Sequence, residues 1–333
     1  MSNKNKIIVV FLFIIISIGV GIIIAISQSK VGPTPEKIPA PIIPKQIQGE
    51  LPIQKIIEKK DFEFPQKAPL LNFTFSELGK EESQSVANKL GFKGEPITVD
   101  DVREGTKYIW SNDTFYFVST LKTAILKYGL NNLITTVPSK NLNDKDLVKI
   151  ASDFLSQNLF LDNEEIKFTS IVFLKENSQS EGFQESSRDE TDVFQINFAY
   201  NISDYEIVTL KSSEPLIFVQ VQKDGTIFRV QITKLKEITK TDEEYSLKTY
   251  EDVLASLDEA VLMDLVNVYL SIPDLSKEDI KSIDVENVKL AYLFENPKTG
   301  ILQPIFILQG QITLTDYSSG VEAILYMPAL ARD

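Results

Sequence analysis

Residues Ile7 to Ile26 read IIVVFLFIIISIGVGIIIAI, twenty residues without a charge, interrupted only by Ser17, Gly19 and Gly21. As a helix rising about 1.5 Å per residue, such a run extends roughly 30 Å, the thickness of a bilayer's hydrocarbon core. The run is longer than the roughly 7–15 apolar residues of a cleavable signal core, which favours a retained anchor. Lys4 and Lys6 precede it with no acid, the usual start of a signal-anchor whose following chain is exported. The expectation is a single-pass protein of the cell membrane. Its N terminus is cytoplasmic, residues 7–26 are in the lipid bilayer, and the C-terminal domain is extracytoplasmic.

Eight of the fifteen prolines lie between Gly32 and Pro69. Proline removes a backbone donor and favours extended polyproline geometry. Residues 31–69 therefore read as a stalk behind a tail and anchor at 1–30.

The chain has no cysteine and no histidine. Disulfides, thiolate and imidazole metal ligation, and Ser-His or Cys-His catalysis are excluded. With 34 basic against 47 acidic side chains, the net charge is −13. A field of that sign repels phosphate backbones, so nucleic acid is not an expected partner.

Beyond the stalk one pattern occurs three times, a helix followed by strands. In the unit 70–140, Lys80–Leu90 is helical with Gly91 as its stop, and strand-like runs cover Lys107–Trp110 and Thr114–Ser119. In the unit 141–240, Leu147, Ile150, Ala151, Phe154 and Leu155 share a helical face. Phe194, Ile196, Phe198 and Tyr200 then alternate. Leu216–Gln222 and Thr226–Ile232 flank the hairpin turn Lys223-Asp224-Gly225. Residues 176–191 (ENSQSEGFQESSRDET) form an acidic, Ser-rich loop. In the unit 241–333, Thr249 and Asp252 make a T-x-x-D cap, followed by strands at Val288–Phe294, Ile301–Thr315 and Val321–Tyr326. The expected fold class is α+β: tandem units, each packing a helix on an antiparallel sheet, after one transmembrane helix.

Ala87-x-x-Leu90-Gly91-Phe92, followed by a strand ending Tyr108-Ile109-Trp110, resembles the helix-plus-hairpin modules of PepSY-like domains. The last unit is similar to extracytoplasmic proteins of the YycH/YycI type. The residues that carry this are Ala291-Tyr292, the turn Asn296–Gly300, Leu302-Gln303-Pro304-Ile305-Phe306 and Gly310. The resemblance implies a membrane-anchored, non-enzymatic accessory protein that binds or regulates another membrane or envelope protein. It brings no cofactor and no catalytic residues. The Pro-rich stalk departs from that pattern.

The alternative is a cell-envelope hydrolase or acyl transferase. Ser119-x-x-Lys122, Ser156-x-Asn158 and Lys298-Thr299-Gly300 stand in the order of a penicillin-binding-type enzyme. That chemistry needs S-x-x-K to open a helix, whereas Ser119 ends a strand-like run. Glycosidase chemistry needs two carboxylates about 5–10 Å apart. The acidic pairs are Asp100/Asp101, Glu164/Glu165 and Asp242/Glu243/Glu244, and adjacent acids are commonly solvated. The oxygen-rich Asn141–Asp146 lacks the Gly and terminal Glu of a calcium loop, and Asn143 or Asp144 suits a helix N-cap. Trp110 with Tyr108 is either a binding platform or core. Asn72, Asn112 and Asn201 head N-x-S/T sequons. No catalytic, cofactor or metal residue is assigned from the sequence.

Overall fold

The computed structural model describes residues 40–331 except 48, 77, 103, 133–139, 160, 162–165, 178–181, 203–204, 211–213, 267–271, 273–274, 296–299 and 317–319. Seventeen strands dominate it, joined into one hydrogen-bonded system. Runs rich in Ile, Val, Phe, Tyr and Thr with period-two alternation favour this outcome.

The N-terminal lobe is an antiparallel sheet. It begins at the edge strand β3 (Ile97–Asp101) and continues through β4 (Gly105–Ser111), β5 (Phe115–Thr120) and β6 (Ile125–Leu130). β6 pairs with β12 (Ile227–Thr233), which pairs with β11 (Ile217–Gln222). Next come β9 (Val193–Ile202), β7 (Ile166–Glu176) and the short β8 (Phe183–Glu185). Two helices cover one face. Helix α1 (Lys80–Lys89) buries Val86 and Ala87, and carries Glu81 and Glu82 in its first turn and Lys89 in its last, matching the helix dipole. Helix α2 (Asp144–Asn158) is capped by Asn143, which accepts from the Asp146 amide while the Asp146 carboxylate accepts from that of Asn143. Its Leu147, Ala151 and Leu155 pack with Ile196, Phe198, Ile217 and Val219.

The C-terminal lobe is a second sheet. β14 (Val261–Val266), β17 (Val321–Pro328), β16 (Ile301–Leu314) and β15 (Ile280–Phe294) are consecutive and antiparallel. Two strands from far upstream add to β15 in parallel. β1 (Ile53–Lys55) pairs at Ile283 and Asp284, and β10 (Tyr205–Thr209) at Tyr292 to Phe294. Alternation on β16 divides its side chains. Phe306 and Leu308 enter a core with Val253 of the short helix α3 (Tyr250–Ala255), while Ile305 and Ile307 face the opposite way. Gly310 is required here, because a Cβ would lie 1.9 Å from the Asp284 carbonyl oxygen where β15 bulges. The lobes are tied by β2 (Lys67–Phe75), which lies between β13 (Leu235–Ser246) and the start of β16. Tyr200 adds a bond in each direction, donating to the Thr233 carbonyl and accepting from the Leu235 amide.

Two expectations are corrected. Tandem helix-plus-sheet units after a transmembrane helix do not describe the structure, whose described residues form a large mixed β system with few helices. A four-stranded antiparallel unit leaves a pairing edge at β6, and that edge is met by β12 instead of being closed. The third helix has only six residues, too few to cover a sheet face. The single-pass, extracytoplasmic assignment is also corrected. Among the described residues no helix is long and apolar enough to cross a membrane. The longest, α2, has 15 residues and a polar outer face. The run Ile7–Ile26 lies outside the described residues. Residues 40–66, part of the Pro-rich stretch, lie against the C-terminal lobe. Ile47 and Ile57 are buried there, and the rings of Phe62 and Phe64 pack on Phe306.

Candidate functional site

The enzyme motifs do not converge. Ser119 is fully buried beneath α1, its hydroxyl 2.7 Å from that of Ser83. Lys122 stands exposed in the next turn. Lys298 and Thr299 lie outside the described residues, and Gly300 accepts from the Phe73 amide at the start of β16 in the other lobe. Ser156 and Asn158 bond to carbonyls of their own helix. The acidic candidates are dispersed. Asp100 accepts from Thr106, and Asp101 from the Glu104 amide and Lys107. Asp242, Glu243 and Glu244 are exposed on β13, and Glu164 and Glu165 lie outside the described residues. Among the described residues no acidic cluster could hold a metal ion. Trp110 is core, stacked on Phe117 with its indole N–H on the Gly94 carbonyl. Asn112 closes the β4–β5 turn by accepting from the amides of Thr114 and Phe115. Asn72 and Asn201 sit on β2 and β9.

Two features stand out in their place, both on the helix-free face of the N-terminal sheet. The first is a cleft of about 220 Å³ where this face meets the C-terminal sheet. One wall is Thr169 and Ser170 on β7 and Asn197 on β9. The other is Glu206 and Val208 on β10, Lys289 on β15, Ile307 and Gln309 on β16, and Ile324 and Tyr326 on β17. β7 bulges at Thr169, between its pairings at Phe168 and Ser170.

Buried amides cross the N-terminal sheet toward the cleft in one donor direction. Gln220 Nε2 donates to Gln195 Oε1 at 2.8 Å, Gln195 Nε2 to Asn197 Oδ1 at 3.0 Å, and Asn197 Nδ2 to Ser170 Oγ at 3.1 Å. The cross-strand register that places Gln220 opposite Gln195 and Asn197 opposite Ser170 makes this possible. Burial holds the Tyr326 phenol well above its ordinary pKa, aided by the charges of Glu206 and Asp264. Burial also raises Glu185 on β8, with the Asp264 charge adding to it.

The second feature is open. The register places Ile97 opposite Ile109 and Ile109 opposite Val118, and alternation puts Val99 beside Ile97. Ile97 is 65 % exposed and Val99 42 %, while Ile109 and Val118 are half-buried. Val102, which follows β3, is 98 % exposed. The outer edge of β3 has no strand partner among the described residues. Sequence reasoning missed this feature, although Ile97-x-Val99 alternation ahead of Asp100-Asp101 is its trace. The cleft left no such signal, because its walls gather residues from six strands spread between Thr169 and Tyr326.

No family model matches the chain, and no curated protein matches it. Among solved structures it is similar to the crystal structure of an uncharacterized protein from Eubacterium rectale. The identity is 10 %, over 80 % of this chain and 85 % of that one, with a TM-score of 0.44. A likeness of that degree carries no argument about function.

Proposed function

We propose that this chain is a non-enzymatic binding module that regulates another protein by docking it on the open end of the N-terminal sheet. The observation that supports this is the group of aliphatic side chains Ile97, Val99, Ile109 and Val118 beside the edge of β3 that has no strand partner among the described residues. Edge strands in free-standing proteins are usually guarded by lysine, bulges or a covering element. Here Lys107, which stands opposite Val99, is held in ion pairs with Asp101 and Glu104, and Asp100 accepts from Thr106. An extended segment of a partner adding to β3 would satisfy its backbone groups and cover the aliphatic side chains together.

The test is a photo-crosslinking residue at Thr98, used in the organism that makes the protein. The expected result is one recurrent crosslinked protein. It should be lost in Val99→Lys and Ile109→Lys with the melting temperature unchanged, and kept in Lys145→Glu on the far side of the lobe. Crosslinking that survives both patch substitutions would refute the docking face.

A further inference from the structure

We propose that the cleft between the two sheets is a binding site for a small zwitterion, a free α-amino acid with an aliphatic or aromatic side chain. It is a different place from the docking face and does not depend on it.

Three observations lead there. First, the cleft is lined by two opposite charges, the exposed Lys289 and the half-buried Glu206. A ligand with only an acid group would face Glu206, one with only an amine would face Lys289, and a neutral ligand would leave both charges uncompensated. A molecule carrying carboxylate and ammonium a few ångströms apart matches both.

Second, two neutral polar groups of the lining, Ser170 and Gln309, are set as donors. Ser170 Oγ accepts the last bond of the amide relay, so its own O–H is left to donate. Gln309 Oε1 accepts from Asn287 Nδ2 at 3.0 Å, which leaves the Gln309 Nε2 hydrogens to donate. With Lys289 they make a donor-rich lining suited to carboxylate oxygens. The relay holds this polarity from inside the sheet, because reversing the Asn197 amide alone would set its Nδ2 against Gln195 Nε2, donor against donor.

Third, Ile307, Ile324 and Val208 give the lining an apolar part. At about 220 Å³ the cleft is smaller than the roughly 300–1,000 Å³ that encloses drug-sized ligands. One amino acid, its side chain on the isoleucines, is the scale of ligand that fits.

Isothermal titration calorimetry of the full chain with L-leucine, L-valine and L-phenylalanine tests this. Saturable binding of at least one is expected. For the one that binds, the amide and the deaminated acid should each bind at least about tenfold more weakly, about 1.4 kcal/mol. Lys289→Met and Glu206→Gln should each cost a similar factor with the melting temperature unchanged, and Lys289→Arg should retain binding. No saturable heat up to about 10 mM with any of the three would overturn the proposal. So would equal affinity for the analogues, or binding indifferent to both charge removals.

Discussion

Residues 56–64 pack on the C-terminal lobe through aromatic rings, and a double-mutant cycle can measure that contact. Phe306 is fully buried on β16. Its ring centroid is 5.7 Å from that of Phe62 at 67° and 5.2 Å from that of Phe64. Phe306→Ala removes a core ring and leaves a cavity, a loss of about 3–5 kcal/mol. Phe62 is half-buried and also touches Phe64 and Tyr250, so Phe62→Ala should cost less. The edge-to-face contact contributes about 0.5–1.5 kcal/mol beyond area burial, and that is the expected coupling between the two substitutions. The assay is urea unfolding of the wild type, both single variants and the double variant, followed by far-UV and near-UV circular dichroism. A coupling inside the roughly 0.3–0.5 kcal/mol scatter of independent sites would mean that the segment stands away from the lobe in solution. In that case a Pro-rich spacer would describe residues 40–66 better than a packed layer.

Further outcomes follow from other buried features. Lys248 Nζ lies 2.8 Å from Glu259 Oε2 with both side chains largely buried, so Glu259→Gln should destabilise by about 3–5 kcal/mol, measured by urea unfolding, because it strands a buried charge. Glu185 has a folded-state pKa raised by burial and by Asp264. Its stability contribution is therefore fully present below the unfolded value of about 4.3 and lost as pH rises through the folded one. Glu185→Gln should accordingly raise the melting temperature at pH 7 and flatten its pH dependence over that window. Asp252 is shifted the other way, lowered by bonds from the Thr249 amide and hydroxyl. Its contribution is present above the unfolded value of about 3.9 and lost as pH falls through the folded one, so Asp252→Asn should flatten the acid limb of the melting curve. Gly310→Ala, which drives a methyl into the Asp284 carbonyl on a strand held from both sides, should cost about 3 kcal/mol or more by thermal melting, at the upper end of overpacking effects.

What was legible in the sequence is what short range decides. The Asn143–Asp146 cap, the Gly91 stop at φ 88°, the hairpin at Lys223–Gly225 and the alternation along β15 to β17 all depend on neighbours within a few residues. Propensity and periodicity encode such features directly. Each segment contains a helix ahead of strands, yet these do not form tandem helix-plus-sheet units. Whether β6 closes a small unit or pairs with β12 is settled by strand edges about a hundred residues apart, and period-two alternation is the same in either case. The parallel addition of β1 and β10 to β15, and the seating of β2 between β13 and β16, are likewise choices among equivalent backbone edges. The cleft belongs wholly to that level. Ser170 and Asn197 are ordinary strand residues, as are Lys289 and Gln309, until two sheets face each other across them. The donor direction of the amide relay exists only once Gln220, Gln195 and Asn197 have been brought side by side by register. Composition alone had already excluded thiol and imidazole chemistry, since no folding supplies a side chain that the chain lacks.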